Sequence, residues 1–269
     1  MNLSAISAGL RSLRGKLVFT ATLVFMVTTF VRAQEISVAA ASDLNFALPD
    51  IAAKYQQQTG TTLKISFGSS GNFLTQIQNG APFDLFFSAD VDFPRQLEAA
   101  GLAEPGTVYL YAVGNIVLRV PTESKLDLSR GMNVLLDPSI KKIAIANPKH
   151  APYGRAAEAA LRKWGIYDRV QAELVLGENI SQTAQFVETG NADIGILALS
   201  LATSPTMQSR GRFAKVPGDL YSPLQQATVV VKNSKQKSAA LKFLEYLKGA
   251  EAQGVLERYG FKKPVEDKP

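Results

Sequence analysis

The chain contains no cysteine, one histidine and one tryptophan in 269 residues. The missing cysteines exclude a disulfide scaffold, a thiol nucleophile, a CxxC redox site and a lipid-modified N-terminal cysteine. A lone His150 excludes any metal site or mechanism built on paired histidines. Glycine and proline, at 20 and 13, are too few for a collagen-like or low-complexity chain. A formal charge of +6 suggests a polyanion partner, but Arg11, Arg14, Lys16 and Arg32 carry four of those charges in an acid-free N-terminal stretch. The remainder is too nearly neutral for a nucleic-acid footprint, and no nucleic-acid partner is expected.

That N-terminal stretch reads as an address. Basic residues precede an apolar run at 17–31 (LVFTATLVFMVTTFV), and Val31 and Ala33 supply small residues around a cleavage point between Ala33 and Gln34. The run is shorter than the ~20 residues that span a bilayer as a helix. A cleavable signal over 1–33 is therefore expected rather than an uncleaved anchor, with an exported mature chain from Gln34.

From residue 36 short buried runs alternate with helical periods. ISVAA at 36–40, LKISF at 63–67 and DLFFS at 84–88 read as strands. Between them, Leu44, Leu48, Ile51 and Tyr55 share one helical face, and Phe73, Leu74 and Ile77 another. The same logic returns later. KIAIA at 142–146 precedes a helix with Ala157, Ala160, Leu161 and Trp164 on one face; residues 173–176 precede one with Ile180, Ala184 and Val187; DIGILAL at 193–199 closes the unit. Two β-α-β-α-β units predict two α/β lobes rather than one larger sheet. The apolar runs at 108–120, interrupted by Gly114, and at 226–232 read as the two strands joining them. The expected boundaries are 34–112 plus 226–269 for lobe 1 and 113–225 for lobe 2. Two lobes on two strands make a hinge with a cleft.

Ligands of open α/β sheets bind where strands end and helices begin. Four such turns share a chemistry: Ala41-Ser42-Asp43-Leu44, Gly68-Ser69-Ser70-Gly71, Ala151-Pro152-Tyr153-Gly154 and Gly177-Glu178-Asn179-Ile180-Ser181. Helix N-termini offer unpaired N–H donors and partial positive charge, and serine hydroxyls add donors without charge. Lys and Arg are absent from 35–53 and 65–94, so an anion held here is held by neutral donors. Each serine is also a plausible cap, Ser42 among them. Periodicity and spacing stop at a two-lobed binder of a small anion. Enzymatic chemistry has few candidates: the turns hold no clustered carboxylates, and Asp84 and Asp90 read as solvated or capping groups. An exported sensor read by a receptor would use the same cleft.

The stretches VAAASDL at 38–44, SFGSSG at 66–71, GAPFDLFFSAD at 80–90, ANPKHAPYG at 146–154 and FVETGNA at 186–192 resemble the periplasmic molybdate-binding proteins of bacterial ABC importers, across nearly the whole mature chain. The resemblance implies a type II periplasmic binding fold, two α/β lobes joined by two hinge strands, and no enzymatic activity or cofactor. It implies capture of molybdate or tungstate by a monomer in the periplasm and delivery to a membrane permease of an ABC importer; a receptor for another tetrahedral oxyanion such as sulfate is the alternative. Carried over by position, the oxyanion ligands fall on Ser42 and Ser70, by hydroxyl and backbone N–H, on Tyr153 and on the backbone N–H of Ile180. Some members take their tyrosine from the position matching Ala198, which cannot serve here. Asp43 is expected to turn its carboxylate away from a dianion, toward the first helical turn, leaving its N–H as a ligand. His150 is expected at the rim. Molybdenum is bound as its oxyanion, so no side chain is expected as a direct metal ligand.

Overall fold

The computed structural model describes residues 34–264; the expected signal segment and its cleavage point lie outside them. Lobe 1 opens with β1 (Glu35–Ala41), α1 (Ala47–Thr59), β2 (Thr62–Gly68), α2 (Ser70–Gln78), β3 (Leu85–Ser88), α3 (Asp92–Ala99) and β4 (Tyr109–Gly114). The chain then crosses at Asn115 into β5 (Ile116–Pro121), β6 (Ile143–Ala146), α4 (Pro152–Lys163), α5 (Tyr167–Val170), β7 (Leu174–Gly177), α6 (Ile180–Glu188), β8 (Ile194–Ala198), α7 (Leu199–Ala202), α8 (Pro205–Gln208) and β9 (Gly211–Lys215). It returns through β10 (Leu224–Val230), α9 (Lys237–Lys248) and α10 (Ala250–Arg258).

The result is two five-stranded sheets, ordered β2-β1-β3-β10-β4 and β7-β6-β8-β5-β9. Each holds a parallel trio, β1 between β2 and β3 or β6 between β7 and β8. In each, the fourth strand arrives directly after a crossing and runs antiparallel to both neighbours. The two lobes thus repeat one topology, with the chain crossing between them after β4 and before β10. The lobe 1 sheet extends two residues past the expected boundaries at both crossings, because Val113 and Gly114 pair with Gln225 and Leu224.

Burial on both faces explains why β1 reads as a continuous apolar run rather than an alternating one. Ile36, Val38 and Ala40 pack with Leu48, Ile51 and Tyr55 of α1 and with Phe243 of α9. Ala39 faces the opposite way, onto Phe73 and Ile77 of α2 and Leu97 of α3. Helix α1 stops at Gly60, whose φ of +72° gives the left-handed cap that glycine adopts without strain. In lobe 2, Ala157, Ala160 and Leu161 of α4 are buried as their spacing predicts, but Trp164 is not. It is 40% exposed, and its indole N–H donates to Asn133 Oδ1 at 3.0 Å; it caps the end of the helix instead of extending its buried face.

Candidate functional site

The four turns singled out from the sequence meet between the lobes. Ala41, Ser42, Asp43, Gly68, Ser69, Ser70 and Ala89 from lobe 1 and Ala151, Pro152, Tyr153 and Ile180 from lobe 2 line one small cavity. Ser42, Asp43, Ser70, Tyr153 and Ile180 are all at most 4% exposed, so the cleft is closed over them. No Lys or Arg lines it.

Local structure decides what each turn can offer. In the second turn the capping duty falls on Ser69, whose Oγ accepts from the Asn72 N–H at 3.4 Å. That leaves Ser70 free for another role. Its Oγ accepts from the Ala89 N–H at 3.0 Å, and its own proton finds no acceptor among the described residues. In the third turn Pro152 occupies the first helical position, where a missing N–H costs nothing. The Cβ of any other residue at Gly154 would stand 2.1 Å from the Ala146 carbonyl oxygen, so glycine lets α4 start directly against the end of β6. In the fourth, Asn179 caps α6 by accepting from the Ser181 and Gln182 N–H groups, both at 3.0 Å. The first-turn N–H groups of Ser70, Tyr153 and Ile180 have no helical partner, and among the described residues none donates elsewhere.

Ser42 departs from the capping role its sequence position suggests. It begins a single 3-10 turn, Ser42–Leu44, that has no side-chain cap. Its hydroxyl reaches the other lobe instead, donating to Asn179 Oδ1 at 3.0 Å and accepting from the Ser181 N–H at 3.2 Å. Further bonds join the lobes around it. Ser181 Oγ donates to the Ser42 carbonyl at 3.1 Å, Asn45 bonds Ser181, and Asn72 bonds Glu178. The Gly71 N–H donates to the His150 carbonyl at 2.9 Å, and His150 Nδ1 lies 3.0 Å from Ser69 Oγ. His150 therefore sits at the rim as expected, as part of the seam. Asp90 and Arg155 pair across the same seam. Asp90 Oδ1 also accepts from the Phe93 N–H in the first turn of α3 at 3.0 Å, whereas Asp84 is buried and accepts from the Ser37 N–H at 2.8 Å; neither is a free carboxylate.

Asp43 does not complement the helical turn. Its side chain is buried beneath the cavity, where Oδ2 accepts from Gln226 Nε2 at 2.7 Å and from the Tyr153 hydroxyl at 3.1 Å. Gln226 also donates to Tyr153 Oη at 2.9 Å, and its own carbonyl accepts from Tyr111 Oη at 2.7 Å, which fixes the amide's orientation. Asp43 Oδ1 has no partner. Burial raises the Asp43 pKa from 3.8 to about 7, against the opposing pull of the Gln226 and Tyr153 hydrogen bonds. Burial and the adjacent Asp43 likewise hold both Tyr153 and Tyr111 well above the usual phenol range, so both are neutral donors. The Tyr153 hydroxyl is thus committed to Asp43, and the donor this residue presents is its backbone N–H. At Ala198, fully buried at the end of β8, no tyrosine is available.

Sequence reasoning missed Gln226, Tyr111 and the reason for Gly114. A Cβ at Gly114 would stand 2.3 Å from Tyr153 Oη and 2.7 Å from Gln226 Nε2, so that glycine makes room for the Asp43 network. The signal was a glutamine at the head of the apolar run QATVVVK, a polar group that must find partners once buried.

A model of the bacterial extracellular solute-binding proteins matches residues 36–262. The molybdate-binding protein ModA of Azotobacter vinelandii is 40% identical over 230 residues, covering 86% of this chain and 90% of the relative. The chain belongs to the ModA family. ModA of Rhodobacter capsulatus is 37% identical over 229 residues, covering 85% and 88% of the two chains. The solved periplasmic molybdate-binding protein of Azotobacter vinelandii superimposes with a TM-score of 0.81 at 32% identity, over 86% of this chain and all of that one. ModA proteins are solute-binding transport proteins rather than enzymes, and their two-lobed α/β fold is the one described above.

Proposed function

We propose that this protein captures molybdate in the closed cavity between its lobes and delivers it to the membrane permease of an ABC importer, with tungstate as a second cargo. The observation that carries this reading is the convergence of neutral donors from four turns, two on each lobe, on one cavity without a cation, in a chain whose ModA relatives are named for molybdate. The donors are the Ser70 hydroxyl and the N–H groups of Ser70, Tyr153 and Ile180, with the Ser42 hydroxyl and the backbone N–H groups of Ser42 and Asp43 beside them. A Ser42 hydroxyl that turns to the ion gives up Asn179. The protein acts as a monomer in the periplasm after removal of residues 1–33.

The chemistry supports a tetrahedral dianion. Molybdate, tungstate and sulfate carry no proton at neutral pH and suit a shell of donors. Short-range dipoles lack the long reach of a lysine, so selection among the three rests on how the cavity's fixed dimensions match the metal–oxygen or sulfur–oxygen bond length. Closing the lobes completes the shell from both sides and excludes water, and the ion's differential affinity for the closed form drives closure.

Calorimetric titration of the purified protein with molybdate, tungstate, sulfate and phosphate tests this reading. One-to-one binding of molybdate and tungstate, at least about a hundredfold tighter than sulfate, a gap of about 2.7 kcal/mol, is the expected result. Preference for sulfate would transfer the function to another oxyanion, and binding of none of the four would overturn it.

A further inference from the structure

Asp43 poses a problem that the captured ion makes worse. It is 1% exposed and lines the cavity in which a dianion is to sit. No positive charge compensates it. Tyr153 on α4 and Tyr111 on β4 are the titratable groups facing it, and both are neutral donors. Strand β10 contributes only Gln226, and α7 contributes a serine, Ser200, whose Oγ donates to the Asp43 carbonyl at 2.8 Å. Helix α6 bears one titratable side chain, Glu188, which is bonded to Arg119, and Lys64 on β2 and Glu35 on β1 are exposed. His150 and Glu178 pair with each other at the rim, and Asp90 pairs with Arg155.

The hydrogen bonds specify where a proton belongs. Gln226 and Tyr153 both donate to Oδ2, which fills that oxygen's role as acceptor. Oδ1 is buried with no donor to accept from. A carboxylate in this arrangement leaves one anionic oxygen unsatisfied beside a dianion, a doubly unfavourable state. A carboxylic acid protonated on Oδ1 removes the charge and turns the same atom into a donor, and an oxyanion in the cavity supplies the acceptor it lacks.

We propose that Asp43 is a specificity-determining residue that carries a proton on Oδ1 in the filled cleft and donates it in a hydrogen bond to the oxyanion, so that capture from alkaline solution takes up one proton from solvent. This rests on the oxyanion-binding reading and deepens it. The proton remains on Asp43; the ion itself stays unprotonated. Affinity is then full below the pKa of Asp43, about 7 when the cleft is closed without its ion, and weakens about tenfold for each pH unit above it.

The test is calorimetric titration of the purified protein with sodium molybdate from about pH 6.5 to 9, in paired buffers of different ionisation heat. The expected results are uptake of nearly one proton per ion at about pH 8.5 and a dissociation constant about fiftyfold weaker at pH 9 than at pH 7. Asp43→Asn keeps a donor in place of the acid, and both the proton uptake and the pH dependence should vanish. Should that variant fail to fold, Asp43→Ser offers the same comparison, and the wild-type proton count stands without either. Tight one-to-one binding with no proton uptake and an unchanged dissociation constant would overturn the proposal while leaving the oxyanion site intact. Equal uptake in wild type and Asp43→Asn would overturn it by placing the proton elsewhere. Absence of molybdate binding at every pH would remove the site reading and the proposal together.

Discussion

Replacing Gly71 by alanine should weaken binding without harming the fold. Gly71 lies in the first turn of α2, where alanine is ordinarily the better residue by up to about 1 kcal/mol. What stands against it is the other lobe. A Cβ at this position would meet the His150 carbonyl oxygen at 2.8 Å and the His150 Cα and Cβ at 3.0 Å. Two of those three atoms are backbone, held by the turn that starts α4, so the clash is relieved by parting the lobes rather than by turning a side chain. Parting also stretches the 2.9 Å bond from the Gly71 N–H to the same carbonyl.

Overpacking of this kind costs about 1–3 kcal/mol, and here the cost falls only on the closed form. The molybdate dissociation constant should rise about 5- to 150-fold, while the ligand-free melting temperature stays level or climbs slightly. Small-angle scattering should show the wild type contracting on addition of molybdate and the variant contracting less. Two results would refute the reasoning. An unchanged dissociation constant would mean that capture does not use this contact. A ligand-free protein destabilised by the same 1–3 kcal/mol would mean that the lobes are permanently packed and do not hinge.

Three other outcomes follow from the site and its surroundings. Ser70→Ala removes a hydroxyl donor to a charged ligand, worth about 1.5–3 kcal/mol, so titration should show a dissociation constant about 10- to 150-fold higher; the loss of the acceptor for the buried Ala89 N–H should lower the melting temperature as well. Glu188→Ala strands the fully buried Arg119, which keeps only the Met207 carbonyl; breaking such a pair costs about 3–5 kcal/mol, a fall in melting temperature on the order of 10 °C by calorimetry. The native Asp43 carboxyl has its pKa raised from 3.8 to about 7, so the folded state holds a proton that the unfolded state releases between those values. Its stabilisation is full below about pH 3.8 and lost as pH climbs through 7, so the ligand-free stability of Asp43→Asn relative to wild type should grow by about 4 kcal/mol at most between about pH 4 and 8 in urea titrations, and a constant difference would refute the assignment.

Much of the architecture was legible because buried parallel strands leave an unmistakable trace. ISVAA and LKISF fall within β1 and β2, and KIAIA covers β6, each with at most one residue of difference at an end. Helix α3, DFPRQLEA, left little trace, since its buried positions are only Pro94 and Leu97. Strand β9 has no fully buried residue at the edge of its sheet and reads as surface. At the site, the turns were legible and the assignments within them were not. Neighbouring serines offer the same chemistry on paper; only the backbone decides that Ser69 caps α2 while Ser70 is left over, and that Ser42 bonds to the opposite lobe. Gln226 and Tyr111 lie 183 and 68 positions from Asp43, so their partnership with it is a product of the hinge topology and carries no local pattern.

The absence of a cation from the cavity makes sense once the seam is considered with it. A lysine would draw in any anion from about a Debye length away and would bind chloride, phosphate and molybdate by charge before shape mattered. Backbone N–H groups act over one hydrogen bond and are fixed by the helices that carry them, so they respond to where the oxygens lie. The lobes, in turn, are held together mainly by neutral bonds, Ser42 with Asn179 and Ser181, Asn45 with Ser181, Gly71 with His150. Each is worth about 0.5–1.5 kcal/mol net because water satisfies the same groups when the cleft opens. A seam of that kind can part to admit an ion and to release it. The one strong electrostatic element placed inside, Asp43, then acts in the opposite sense from a lysine: ionised it repels the dianion, protonated it holds it, and capture is decided by geometry and by a single proton.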